Sequence, residues 1–135
     1  MRLNQRPIVL VHGLWDNPSL FRNLINALQS DNIISFAPHL PHQLGRTSII
    51  DLADELQKQL YKRFGVDERI DILGYSMGGL ISRVWLQELS GFSRTSRFFS
   101  VGSPQKGTLT AQLAPYRFFK GIAEMKIGSR FMLRI

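Results

Sequence analysis

Ile70-Asp71-Ile72-Leu73-Gly74-Tyr75-Ser76-Met77-Gly78-Gly79-Leu80 sets a serine between glycines at −2 and +2, after an apolar run and ahead of an amphipathic one. The spacing predicts a strand over Arg69–Leu73 and a helix over Met77–Leu89, with Leu80, Ile81 and Val84 on one helix face. A strand that turns so abruptly into a helix holds the intervening residue in a strained backbone conformation. Its hydroxyl is thereby lifted from the C-terminal edge of the sheet. Side chains at positions 74 and 78 would collide with neighbouring elements, so glycine is needed at both. The helix aims its N-terminal N–H groups and the positive end of its dipole at the hydroxyl, where an oxyanion would form. Ser76 is therefore the candidate nucleophile, and the Met77 amide a candidate oxyanion donor. A glycine-rich nucleotide-binding turn is the plainer alternative, but Gly74-x-x-x-Gly78-Gly79 does not fit G-x-G-x-x-G.

Upstream, Pro7–Val11 is a continuous apolar run, as expected for a strand buried on both faces, and it ends in His12-Gly13-Leu14-Trp15. Beside the strand that carries Ser76 in a parallel sheet, this end would share its edge. Gly13 lets the backbone turn sharply and leaves the Leu14 amide free to act as the second oxyanion donor. His12, at a strand end, reads as a group that shapes the loop rather than as the general base. Asn17-Pro18 is a helix start, and Phe21, Leu24, Ile25 and Leu28 form one helical stripe. A second strand, Ile33–Phe36, leads into the irregular loop Pro38–Gly45. If that strand flanks the first on its far side, His39 and His42 lie two strand spacings from Ser76 and read as loop polar groups near a substrate mouth. Thr47 or Ser48 can cap the next helix, whose Leu52, Ala53, Leu56 and Leu60 face inward and which Gly65 ends.

Downstream, Arg97–Val101 is a fourth strand, followed by a Gly102-Ser103-Pro104 turn. A helix near Leu109–Gly121 and then an irregular end complete the pattern. Short apolar runs alternating with longer amphipathic ones predict an α/β fold: three layers, α/β/α, with a mostly parallel sheet of about four strands in a single domain.

Composition narrows the function. The 135 residues contain no cysteine, which excludes disulfides, thiolate metal sites and a cysteine nucleophile. No apolar run reaches the length of a membrane span, and the N-terminus lacks the apolar stretch of a secretory signal, which leans toward the cytoplasm without deciding the compartment. Net charge is +7. Residues 1–90 balance nine Lys/Arg against nine Asp/Glu, whereas residues 91–135 hold eight Lys/Arg against Glu124 alone. Such a basic segment can meet an anionic lipid surface, although a solvated face is the plainer reading. No nucleic-acid motif is present, and nothing sets an oligomeric state.

Together these residues resemble the α/β-hydrolase superfamily, particularly small lipases and esterases of the triacylglycerol-lipase type. Pro7–Trp15 is similar to their oxyanion strand and loop, and Asp71–Arg83 to their nucleophile elbow, G-H/Y-S-M-G-G followed by Leu-x-x-Arg. Phe98–Thr108 resembles the strand and Ser/Thr-Pro-x-x-Gly-Thr turn that follow, and Met125–Met132 a later segment. The resemblance implies hydrolysis of carboxylic esters or acyl lipids through an acyl-serine intermediate, with no metal or organic cofactor.

The family's triad runs Ser, Asp/Glu, His along the chain, yet no aspartate or histidine follows Ser76, and the later carboxylates are only Glu88 and Glu124. These residues thus read as the N-terminal portion of a hydrolase, lacking the last strands with the acid and the base, and nearly inactive alone. Arg97–Val101 would expose an apolar edge. The alternatives are a non-catalytic scaffold derived from the fold, or thioester hydrolysis, acyl transfer or amide hydrolysis on the same frame.

Overall fold

The structure, a computed structural model, describes residues 5–108, 120–126 and 128–135. Four strands form one all-parallel sheet: β1 (Ile8–Val11), β2 (Ser35–Phe36), β3 (Ile70–Tyr75) and β4 (Thr95–Val101), in the order β2-β1-β3-β4. Register places Ile8 opposite Asp71 and Val11 opposite Gly74, and carries Asp71 on to Arg97 and Gly74 to Ser100. The first strand therefore lies beside the one leading to Ser76, and their C-terminal ends meet at one edge.

Period-two alternation divides the sheet into two faces. Val9, Val11, Ile70 and Ile72 point into the main core under α2 (Ile49–Phe64) and α3 (Met77–Glu88). That core holds Leu52, Leu56, Leu60, Leu80, Val84 and Trp85, all essentially inaccessible to water. Full burial of a leucine or valine side chain contributes about 1.5–3 kcal/mol, so this layer carries most of the cohesion. Ser48 caps α2 by accepting the Asp51 N–H, and Gly65 closes it at φ 70°.

The opposite face is different. Asn17 caps a short 3-10 turn at Pro18–Phe21, and α1 (Arg22–Ser30) follows. Of the stripe Phe21, Leu24, Ile25, Leu28, only Phe21 is buried, and α1 itself buries none of its residues. Periodicity sets which way a stripe points; it does not supply a covering element, and among the described residues none covers α1. Leu28, Ile8 and Phe99 instead line an open groove on this face. Among the described residues β4 pairs on one side only and leaves Phe99 and Val101 exposed, as the expected apolar edge requires. On the same face Arg97 reaches the buried carboxylate of Asp71 at 2.5 Å.

Most of the helix expected at Leu109–Gly121 lies outside the described residues; its last positions fall in α4 (Lys120–Glu124). The end of the chain is not irregular: Ser129 accepts the Met132 N–H and caps a further helix, α5 (Arg130–Arg134). A single capping serine ahead of five residues is too short a signal to register as periodicity. No helix among the described residues is long and apolar enough to cross a membrane.

Candidate active site

Ser76 sits at φ 54°, ψ −128°, between the last residue of β3 and the first of α3. A serine with positive φ costs on the order of 1–3 kcal/mol and persists only where its surroundings hold it there. Two backbone bonds do so: the Ser76 N–H donates to Val101 O at 2.9 Å, and Gly79 N–H donates to Ser76 O at 3.0 Å. Although Ser76 occupies the N-cap position of α3, its side chain makes no capping bond. The residue borders a groove of about 530 Å³, so its hydroxyl has room for a reacting partner.

The glycines permit the close approach. A Cβ on Gly78 would lie 2.1 Å from Val11 O, and one on Gly74 2.5 Å from the Gly79 Cα. A Cβ on Gly13 would meet the Ser76 Cβ and Tyr75 O at 3.0 Å and the Met77 nitrogen at 3.2 Å. The backbone of the His12–Trp15 loop is thus laid directly against the turn at Ser76. Leu14 and Met77 both border the same groove. The Met77 N–H belongs to the first helical turn, where no intrahelical acceptor exists. Behind the turn, Arg83 donates from its guanidinium to Gln105 Oε1 at 3.0 Å. The arginine of the Leu-x-x-Arg pattern is therefore tied to the Ser-Pro-Gln-Lys-Gly turn after β4.

The three histidines gather on one side of β1, rather than around the groove. His12 is fully buried; its Nδ1 and Gly13 O are 3.0 Å apart, and its Nε2 accepts the Leu40 N–H at 3.0 Å. With Nε2 as acceptor, Nδ1–H is the donor, and neither nitrogen is left for proton transfer. Burial lowers the His12 pKa, a second reason for it to stay neutral. The His39 and His42 rings lie 5.8 and 5.1 Å from that of His12, and neither borders the groove. They were expected near the mouth but do not line the groove; the Leu40 N–H bond to His12 ties the Pro38–Gly45 loop to the end of β1.

His42 is buried, neither ring nitrogen has a hydrogen-bond partner among the described residues, and burial pulls its pKa down to about 4. Its unfolded value is 6.5, so the folded state resists protonation. Stability is held above about pH 6.5 and falls as pH drops from there toward 4. Between pH 7.5 and 4.5 this group is expected to cost about 2–3 kcal/mol. Thermal melts of His42→Phe across the same range should show a visibly shallower decline; parallel curves would remove His42 as the cause.

Residues given no site role from the sequence complete the groove. Ile122 and Met125, spaced i, i+3 on and just after α4, line it together with Leu14, Trp15 and Pro104. Only that spacing beside Gly121 hinted at a wall. Trp15 stands at φ 61° and is 75% exposed, so its ring is open to solvent at the rim. Glu88 pairs with Arg134 at 2.8 Å, and Glu124 is buried; neither borders the groove. No cluster of three or more His, Cys, Asp or Glu able to hold a metal occurs among the described residues.

A family model described as "alpha/beta hydrolase fold" matches residues 6–124. The chain belongs to the α/β-hydrolase fold family. Among curated proteins, this α/β-hydrolase is similar to lysosomal thioesterase PPT2 of Mus musculus, 28% identical over 110 residues that cover 78% of this chain and 36% of that protein. The Homo sapiens protein of the same name is 28% identical over 112 residues. Among solved structures, Bacillus licheniformis lipase BlEst2 in mature form superposes with a TM-score of 0.75 at 22% identity, covering 98% of this chain and 58% of that one. Aspergillus fumigatus lipase B gives a TM-score of 0.76 at 14% identity, covering 98% and 33% respectively. At such identities the superpositions speak to the fold. The chain spans about a third, 36%, of the length of the curated relatives it matches.

Proposed function

We propose that Ser76 is the nucleophile of a hydrolase acting on carboxylic esters or thioesters through an acyl-serine intermediate. The observation that carries this reading is the conjunction at one sheet edge of a strained, uncapped serine with the Leu14 and Met77 residues on a shared groove. In the reaction, Ser76 Oγ attacks the acyl carbonyl carbon as its proton passes to a base. The carbonyl oxygen becomes an oxyanion that accepts hydrogen bonds from the Leu14 and Met77 N–H groups. The alcohol or thiol then leaves with a proton, and water repeats the sequence on the acyl-serine. An acyl group on oxygen or on sulfur passes through the same intermediate. The likeness to thioesterases supports thioesters as substrates as much as the fold neighbours support lipids and simple esters.

The acid and the base are proposed to come from polypeptide outside these 135 residues, which would then be the N-terminal portion of one hydrolase domain. No histidine or aspartate follows Ser76, and His12 has both nitrogens committed. The basic segment 91–135 offers less free charge to a lipid surface than its composition suggests. Arg97 pairs with Asp71 and Arg134 with Glu88, and Arg94 is buried.

The test is covalent labelling. In a protein carrying the complete domain, a fluorophosphonate probe should modify Ser76, located by peptide mass, and Ser76→Ala should abolish the adduct. An adduct that persists in Ser76→Ala would overturn the assignment. Absence of any adduct would favour a scaffold that keeps the fold without the chemistry.

A further inference from the structure

Glu124 is a buried carboxyl that the proposed chemistry does not use. It is 2% exposed; Oε2 accepts the Ile49 N–H at 3.3 Å, and Oε1 has no partner among the described residues. Ile49 is the first residue of α2, so a side chain from the far end of the sequence satisfies one of the orphan amides at that helix start, alongside the Ser48 cap. Around it α4 is pressed against the preceding turn. A Cβ on Gly121 would lie 2.3 Å from Thr47 O, and one on Gly45 2.4 Å from the Ile122 side chain. Gly121 and Glu124, i and i+3, share the face of α4 turned to α2. Ile122 and Met125, also i and i+3, share the neighbouring face that walls the groove.

We infer that Glu124 is a positioning residue, clamping α4 to the start of α2 and thereby setting the wall against which a linear apolar acyl chain lies. This rests on the groove beside Ser76 being the substrate groove, as proposed above. The clamp is sensitive to pH. The groups around it are Lys120 on α4, Arg134 on α5 and Asp51 on α2. Burial outweighs the Ile49 N–H, which favours the carboxylate, and the pull of the two cations, and pushes the carboxyl up to about 7. The neutral acid is thus the seated form. The stabilisation from seating it is complete below the unfolded value of 4.5 and is lost as pH rises through about 7. Ionised, the group is driven toward water, and α4 loosens with it.

The experiment measures binding of 11-(dansylamino)undecanoic acid to the 135-residue chain by energy transfer from tryptophan, Trp15 lying on the groove. Between pH 6 and pH 8 wild-type affinity should fall by up to about tenfold, the drop in the neutral fraction of a group with pKa near 7. Glu124→Gln keeps a carbonyl oxygen for the Ile49 amide and cannot ionise, so its affinity should be flat. Independently of any variant, the Ile49 amide resonance should titrate with a midpoint near 7. A flat wild-type profile, an equal slope in Glu124→Gln, or an Ile49 amide that does not titrate would each overturn the inference. Failure of the probe to bind at either pH would overturn it too. Fluorophosphonate labelling of Ser76 reports separately on the nucleophile, so the two readings fail distinguishably.

Discussion

Gly78→Ala is expected to destabilise the fold by more than about 3 kcal/mol, at or beyond the upper end of overpacking costs. The added Cβ would stand 2.1 Å from Val11 O and 2.8 Å from His12 O. Neither is the end of a flexible side chain; both belong to the backbone at the C-terminal end of β1. Relief requires α3 and β1 to separate, which strains the pairing of Val11 with Gly74 and carries the His12–Trp15 loop away from Ser76. Against a total stability of 5–15 kcal/mol, the melting temperature should fall by roughly 10 °C or more. Gly65→Ala is the control: nothing lies within 4 Å of its Cβ position, and only the positive φ of 70° opposes it. That change should cost about 1–3 kcal/mol, because φ 70°, ψ −159° is a conformation open essentially to glycine alone. A Gly78→Ala melt as mild as that of Gly65→Ala would mean that the contact at the turn is not as tight as described.

The largest effect is expected in turnover. On a soluble aryl ester or short acyl thioester, residues 1–135 should remain within about 10³–10⁴-fold of the uncatalysed rate, the level an oxyanion hole and binding can reach without a base. A serine hydroxyl without a proton acceptor is a poor nucleophile near neutrality, so Ser76→Ala should change this residual rate little. In a protein that carries the acid and the histidine as well, the same substitution should remove about 10⁵–10⁶-fold in kcat, because triad members act as a unit. Steady-state kinetics on the two proteins make the comparison. A kcat of about 1 s⁻¹ or more from the 135 residues alone, lost in Ser76→Ala, would show that a group present here serves as base. The proposal that the base lies outside these residues would then be wrong.

The elbow was legible because its constraints are local. A strand, a strained residue, a helix start and the glycines around them lie within eleven residues, and each demands a residue type. β1, β3, β4 and α2 were legible for the same reason, through runs and periodicity. The rest depends on partners distant along the chain. Leu40 N–H reaches His12 Nε2 across 28 residues, and this contact takes His39 and His42 away from the groove. Glu124 reaches the Ile49 amide across 75 residues, which no spacing rule encodes. The stripe on α1 is helical as read, but its periodicity says nothing of burial, which needs a second surface. The α5 helix was missed because one capping serine and five residues make too little pattern to count.

The strand order also governs how the chain can fold. β1 pairs with β2 over only two registered positions, Ile8 with Ser35 and Val9 with Phe36, and its main partner is β3, beginning at Ile8 opposite Asp71. During synthesis at about 5–20 residues per second, β1 therefore waits several seconds, almost without hydrogen-bonded neighbours, for β3 to emerge. Contacts this distant in sequence slow folding because the loop must close before the pairing rewards it. For those seconds the nascent chain presents Val9, Leu10 and Val11 to whatever binds unfinished hydrophobic segments at the ribosome.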